Sequence, residues 1–536
     1  MYVAPQIAWA SLTPVIIVLV AAALGVLLEA FVRRPADRRM YQLQLSVVAL
    51  VASIMAVVWL WVGLDGGGRI VLDRMILLDR QALLWQALLA LFGLGGVLLA
   101  AAKGKEGEDA FAPLASVAPG SGEETVARQK GFALTESFPL MLFATGGMML
   151  FATVNDLLFM FVALELFSLP LYILVAISRR RRLLSQEASL KYFLLGAFSS
   201  ALFLFGVALI FGATGSTTQP GVTGLQELGQ IVPNLANQRT TLLIGLFMVV
   251  VGLLFKVGAA PFHSWVPDAY QGAPTPVTAF MAAATKAAAV AALSRVAYLV
   301  LFRFAWEMNW VIWTVAITSM VLGTVLAIVQ TDVKRMLAYS AIAHSGFILV
   351  ALAGFSASAL SALPFYLATY GIASLGAFAV VAQVRELTPD GAVGAEATRL
   401  GQWAGLGKRS PLLAGAMTLF LLSFAGIPLT AGFMGKFVAF RAAIEAGAWP
   451  LVVIAGLASA ASAFFYLRVV VLMFFTDAPQ DASARVAARP TALGKLVVVA
   501  SGFLILVLGV LPAWALNLTD SAGEVLSPAA VSTLGG

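Results

Sequence analysis

The chain of 536 residues contains no cysteine and only two histidines, His263 and His344. The first absence excludes thiolate-held iron–sulfur clusters, Cys-bound zinc and disulfides, and the second leaves a bis-histidine haem with little support. Charge is also scarce. Asp, Glu, Lys and Arg make up 11% of the chain against 61% hydrophobic residues, whereas soluble domains carry about 25% charge. No Walker-type phosphate loop is present, nor a GxGxxG between a strand and a helix, so nucleotide hydrolysis and direct NADH binding have no support. The chain itself is expected to hold no cofactor, no metal and no redox centre.

What the sequence has instead is long apolar runs. At roughly 20 residues per crossing, fourteen spans are expected, near 8–31, 41–64, 79–101, 138–155, 157–178, 188–213, 241–266, 274–301, 308–329, 336–355, 361–383, 411–441, 449–474 and 497–518. The first is too long for a signal-peptide core, lacks a basic leader and is followed by RRPADRR, so it reads as a retained span. The fold class is therefore an all-α polytopic membrane protein, one transmembrane domain over 1–536.

Lys and Arg outnumber Asp and Glu by 33 to 26. They collect in alternate loops rather than on one face, which points to topology and not to nucleic acid. Loops after the first, third, fifth, ninth, eleventh and thirteenth spans hold 21 of them, while the opposite loops hold six: Arg69, Arg74, Arg80, Arg239, Arg303 and Arg441. Basic loops stay in the cytoplasm, so both termini are expected on the other side. The loops at 102–137 and 382–410 read as solvated connectors, and 214–240 as an outer-face loop.

Six bases remain within the spans: Lys191, Lys256, Lys286, Arg295, Lys436 and Arg468. Arg295 and Arg468 are close enough to helix ends to snorkel. The lysines are not explained that way, because an ionisable group in hydrocarbon costs roughly 2.5–3.5 kcal/mol and needs a partner, water or a task. Glu165, in FVALELFSLP, is the one deeply placed acid. It is expected to pair with Lys256 or Lys191 across neighbouring helices, the plainer alternative being a core acid neutralised by protonation. Lys191 lies near a helix start and is the least secure of the set. His344, in RMLAYSAIAHSGF, is either a satisfied core residue or a relay with an unperturbed pKa near 6.5. His263 reads as an interfacial residue.

Two spans are interrupted by proline near a lysine: FKVGAAPFHSW, with Pro261 after Lys256, and FAGIPLTAGFMGK, with Pro428 before Lys436. Proline removes a backbone donor, and the freed carbonyl needs a neighbour or water inside a membrane. The two interruptions run with opposite polarity, as in inverted-repeat transporters. Helices 4–8 (138–301) and 9–13 (308–474) would be the repeats, preceded by three helices over 8–101 and followed by helix 14 at 497–518. Lys256 and Lys436 then read as mirror-related gates, joined by Lys286 and His344.

The segments FKVGAAPFHSWVPDAYQGAPTPVTAFMAAATKAA (255–288) and TDVKRMLAYSAIAHSGF (331–347) resemble the antiporter-like membrane subunits of respiratory complex I, and DAYQGAPTPV resembles the N-type among them. The resemblance spans nearly the whole chain. It implies two inverted five-helix antiporter-like repeats with broken helices 7 and 12, in a proton-translocating subunit of a bacterial NADH-quinone oxidoreductase in the inner (plasma) membrane. It further implies a hetero-oligomer with M-type and small K-, J-, A- and H-type membrane subunits and lipids, with NADH, FMN, iron–sulfur clusters and quinone held by partner subunits. By motif position Glu165 falls on the family's helix-5 glutamate, Lys191 on its helix-6 lysine, Lys256 on helix 7, Lys286 on helix 8, His344 on the polar position of helix 10 and Lys436 on helix 12. The 102–137 insertion is longer than the family leads one to expect. Two alternatives stay open: a subunit of a multi-subunit cation/proton antiporter, and a structural spacer of the membrane arm.

Overall fold

An apolar run satisfies its backbone in hydrocarbon by hydrogen-bonding within itself, as helix. The computed structural model follows that rule and describes residues 7–32, 34–64, 68–103, 109–112, 121–129, 134–179, 181–216, 219–232, 235–387, 393–477 and 486–523. Helices α1 (Trp9–Phe31), α2 (Pro35–Val62) and α3 (Arg80–Ala101) come first, with a hairpin of β1 (Arg69–Val71) and β2 (Ile76–Leu78) between the last two. A short α4 (Gly122–Gln129) precedes α5 (Ser137–Phe151), α6 (Leu157–Ala176) and α7 (Arg182–Thr214). After α8 (Leu225–Ile231), the chain runs through α9 (Arg239–Val257), α10 (Trp265–Gly272), α11 (Thr275–Leu299), α12 (Ala305–Ile328), α13 (Val333–Leu352) and α14 (Ala357–Gln383). Strands β3 (Val384–Leu387) and β4 (Val393–Glu396) and the turn α15 (Leu406–Arg409) lead to α16 (Pro411–Ala425), α17 (Ala431–Glu445) and α18 (Trp449–Phe475). Strand β5 (Val486–Ala488), α19 (Ala492–Val510) and α20 (Ala513–Gly523) complete the described chain.

Among the described residues, twelve helices are long and apolar enough to cross a membrane, while α5 and α16 are apolar but shorter. The expected fourth span is the short α5, and the expected twelfth is α16 and α17 in series. The last expected span ends early: α19 stops at Val510 and Pro512 precedes the separate α20, as a residue without an N–H dictates.

The centre of the molecule is α11, buried along its whole length, with α13 and α14 almost as enclosed. Its sequence, TKAAAVAALSRVA, is small-residue-rich, which lets surrounding helices approach in the absence of a hydrophobic driving force between them. The pairing of α12 with α13 shows how close that approach is. A Cβ on Gly323 would lie 2.4 Å from the backbone nitrogen of Ala343 and 2.9 Å from the carbonyl of Tyr339. Backbone cannot yield as a side chain does, so Gly323→Leu is expected to cost about 1–3 kcal/mol and to lower the thermal unfolding temperature of the purified protein.

Loops sort onto two ends. At one, Arg39 pairs with Asp109 (2.5 Å), Arg179 with Glu124 (2.6 Å), Arg335 with Asp268 (2.8 Å) and Lys408 with Asp477 (2.9 Å). At the other, Arg74 pairs with Glu227, and Arg239 with Glu307. The expectation of solvated connectors at the first end fails for the described parts. Phe111 and Trp403 are buried, residues 110–112 bond to the backbone at 177–179, and β4, β3 and β5 form one antiparallel sheet. The apolar residues within these polar stretches are what hold them down.

Candidate functional site

Each interruption is built from the same three parts. α9 ends on Gly258, in the left-handed region at φ 73°, and α16 ends on Gly426 at φ 82°, a conformation that glycine adopts at no steric cost. Pro261 and Pro428 follow. Each proline sits four residues after a carbonyl whose helical donor it therefore removes, Val257 in one case and Phe424 in the other. In both, a buried lysine supplies the missing donor. Lys286 Nζ lies 3.0 Å from the Val257 carbonyl, and Lys436 Nζ lies 2.8 Å from that of Phe424 and 3.0 Å from that of Ala425.

The two interruptions are thus alike in being capped by a lysine, Lys286 from a separate helix at the first and Lys436 from the following helix at the second. Lys256 precedes its break and turns away from it, donating to Ser168 Oγ (2.8 Å) and Tyr172 OH (3.3 Å) on α6. Its ammonium lies 5.3–5.7 Å from the ring centres of Phe167, Tyr172, Tyr192 and Phe255, an aromatic enclosure that favours the cation.

Lys286 also donates to the Ala341 carbonyl (2.8 Å) and to Ser345 Oγ on α13. Ser345 adjoins His344, whose Nδ1 is 2.8 Å from Tyr366 OH and whose Nε2 is 3.4 Å from Tyr466 OH. Tyr466 in turn hydrogen-bonds Ser340. The Phe347 ring completes the line, 5.5 Å from the His344 ring and 4.8 Å from Lys436 Nζ. Ser459 Oγ accepts from Lys436 at 2.7 Å. Lys256, Lys286, His344 and Lys436 are all buried, and hydroxyls or carbonyls occupy each of their donors' surroundings. Each of the four basic side chains can bind and release a proton; the Phe347 ring between His344 and Lys436 is a packing contact.

Glu165 does not pair with either expected lysine. It is half-buried on α6 with its Oε1 enclosed and without a hydrogen-bond partner among the described residues. Ser168 and Tyr172 follow it at three and seven residues, so Glu165 shares the helix face that Lys256 contacts. Lys191 lies outside the buried row. Its side chain is 47% exposed and bridges Glu187 (2.6 Å) and Asp268 (3.2 Å), because α7 begins well before the expected 188 and turns this position outward. His263 lies in the segment between α9 and α10.

Two buried cations escaped the sequence reading. Arg295 does not snorkel: it is 1% exposed and pairs with Asp79, itself wholly buried, at 2.8 Å. Lys334, read as a loop residue, is 2% exposed and stands in the first turn of α13, where Asp332 caps the helix. The signal was present in TDVK, since an Asp two residues earlier is an N-cap pattern that places the lysine inside the helix. Arg468 is exposed and donates to the Ile328 carbonyl at 3.1 Å.

Residues 154–462 match the family model described as NADH:quinone oxidoreductase/Mrp antiporter, transmembrane. NADH-quinone oxidoreductase subunit N of Beutenbergia cavernae is 53% identical over 85% of this chain and 86% of its own, and that of Rhodococcus opacus is 49% identical over 97% and 96%. The chain belongs to the NADH-quinone oxidoreductase subunit N family. A chain in the structure of respiratory complex I from Thermus thermophilus with bound aureothin has a TM-score of 0.73 and 34% identity, with 95% of this chain and 100% of that one covered. The family's fold extends further, to a chain of the Mrp complex from Dietzia with a TM-score of 0.79 at 22% identity, covering 98% of this chain and 100% of that one. At both interruptions a carbonyl four residues before a proline is met by a buried lysine.

Proposed function

We propose that the chain is the proton-translocating subunit N of the membrane arm of an NADH-quinone oxidoreductase, and that protons move along Lys256, Lys286, His344 and Lys436. The observation that carries the reading is the set of four buried basic side chains held on hydroxyls and carbonyls around the two interruptions. Protons are taken up on the basic end, which is the cytoplasmic one if basic loops stay inside, and leave past Lys436. Both termini then face away from the cytoplasm of a bacterial plasma membrane. Glu165, on the face that Lys256 contacts, adjusts the charge state of Lys256 according to a neighbouring membrane subunit. Lys191 serves as a surface contact at the uptake end. The redox cofactors lie in partner subunits, and the energy comes from quinone reduction there, since moving one charge against 100 mV takes about 2.3 kcal/mol.

We read 138–301 and 308–474 as inverted five-helix repeats, with fourteen crossings in all. The matching Gly–Pro interruptions support this. An antiporter outside a respiratory complex would share the core but not the subunit N relatives.

Lys286→Met is the direct test. Val257 keeps the Ser345 hydroxyl as a donor at 3.0 Å, so the break stays satisfied and the complex is expected to assemble. Proton flux through this subunit should fall about tenfold or more, the scale of a lost acid–base group, measured as proton-to-electron ratio in reconstituted vesicles. An assembled variant that pumps at the unmutated ratio removes the row from the mechanism.

A further inference from the structure

At the basic end a small polar cleft opens between the α6–α7 junction, α13 and the β3–β4 hairpin. Arg179, Arg181, Arg385, Asp109 and Glu396 line it, and Lys334 stands at its floor. Lys334 is a buried titratable group that the row described above does not use. Its ammonium donates to the Ala273 carbonyl (2.7 Å) and Thr275 Oγ1 (3.2 Å) and lies 3.8 Å from Glu396. Glu396 is itself 4.0 Å from Arg385 and accepts from Thr275. Arg181 lies 3.9 Å from Asp332, the cap of α13, and its backbone sits in the left-handed region at φ 58°. A non-glycine residue there is strained, and such positions gather at functional sites.

The position of Lys334 relative to the row is set by helix arithmetic. Thr275 and Lys286 are eleven residues apart on α11, and Lys334 and Ser345 are eleven residues apart on α13. Eleven residues bring a helix back to the same face about 16 Å further along. Lys334 therefore bridges α13 to α11 at the cleft, and Lys286 bridges the same faces of the same two helices at the centre. Thr278, one turn inward from Thr275, donates to the Tyr270 carbonyl, and the Tyr370 ring lies 5.7 Å from Lys286 Nζ. Thr278, one turn from the Lys334 partner Thr275, and Tyr370, beside Lys286, are thus buried hydroxyl-bearing side chains at the two ends of this stretch.

We propose that Lys334 is the group that loads the row: its amine takes a proton from water in the cleft, becomes the ammonium, and releases that proton inward, through hydroxyls and water, to the amine of Lys286. Glu396 holds the loaded form, and Asp332 with Arg181 and Arg385 completes the charge around it. The inference rests on the proposed row and goes beyond it by naming a cleft-side group that feeds the row at Lys286.

The test uses the whole complex in vesicles with Lys334→Gln, Lys334→Arg and, as reference, Lys286→Met. Gln keeps a donor but cannot carry a proton, and Arg keeps charge and donors but cannot release one. Both are expected to assemble and to lose about tenfold or more of this subunit's proton uptake, with the Gln variant recovering partly as the uptake-side pH is lowered. If Lys286→Met impairs pumping while Arg at 334 behaves as the unmutated protein, or while the Gln loss is the same at every pH, Lys334 is structural and the inference fails with the row intact. If Lys286→Met pumps normally, the row itself fails. Should the Gln variant not assemble, the Arg variant alone decides.

Discussion

Arg295→Ala is expected to remove most of the assembled protein from the membrane. Arg295 and Asp79 form a buried pair at 2.8 Å, with side chains 1% and 0% exposed, and Arg295 Nε also donates to the Ala152 carbonyl at 2.8 Å. Asp79 caps α3 through Ala82, so one guanidinium ties the start of α3, the end of α5 and the last turns of α11. The β1–β2 hairpin lies across this end, with Leu77 bonded to the Thr153 carbonyl and Asn155 to that of Met75, and the alanine variant's carboxylate is left buried without its counter-ion. Removing one member of such a pair costs about 3–5 kcal/mol, most of it the uncompensated charge. Removing both charges is far milder. Arg295→Met with Asp79→Asn, which keeps the α3 cap, should restore accumulation and unfolding temperature toward the unmutated values. Normal amounts and stability for Arg295→Ala alone would show that water reaches Asp79.

The contrast between Arg295 and Lys256 explains what was legible in the sequence. Apolar runs and the two interruptions follow from apolar length and proline, which are local properties, and the structure is helical over those runs, with α5 short and α19 ending at Val510. Partner choice is not local. Nothing in FVALELFSLP says that Lys256 takes Ser168 and Tyr172 and leaves Glu165 Oε1 without a hydrogen bond among the described residues, because that depends on the rotation of α6 against α9. Nor does distance from a helix end say whether Arg295 reaches water, since a hairpin from elsewhere in the chain covers it. Lys191 failed for the same reason in the opposite direction: its helix is longer than its apolar run, and the lysine faces out. The capping of each orphaned carbonyl by a lysine was within reach, because the spacing from Val257 to Pro261 and from Phe424 to Pro428 is visible in the chain. Which lysine would cap Val257 was not, for Lys286 comes from another helix.

Lys436 is where those two roles, structural and protonic, meet in one side chain, and they are separable by choice of substitution. Its ammonium is the donor for the Phe424 carbonyl orphaned by Pro428, and it also reaches the Ala425 carbonyl and Ser459 Oγ. Ala425 has a second, longer contact from Ser459 at 3.3 Å, which leaves Phe424 as the acceptor with most to lose. Lys436→Met removes every donor and is expected to destabilise the α16–α17 junction by about 1–3 kcal/mol, the cost of a buried unsatisfied polar group. Loss of assembly in that variant therefore says nothing about proton movement. Lys436→Gln keeps an amide N–H to offer Phe424 and carries no proton. It should assemble at near-normal levels while proton release through this subunit falls about tenfold or more. Lys436→Arg supplies donors and a fixed charge, and should match Gln in pumping while exceeding Met in stability. Equal pumping by the Arg and unmutated complexes, with the unfolding temperatures ordered as stated, would leave Lys436 as a helix cap alone and move the proton outlet elsewhere along α13 and α18.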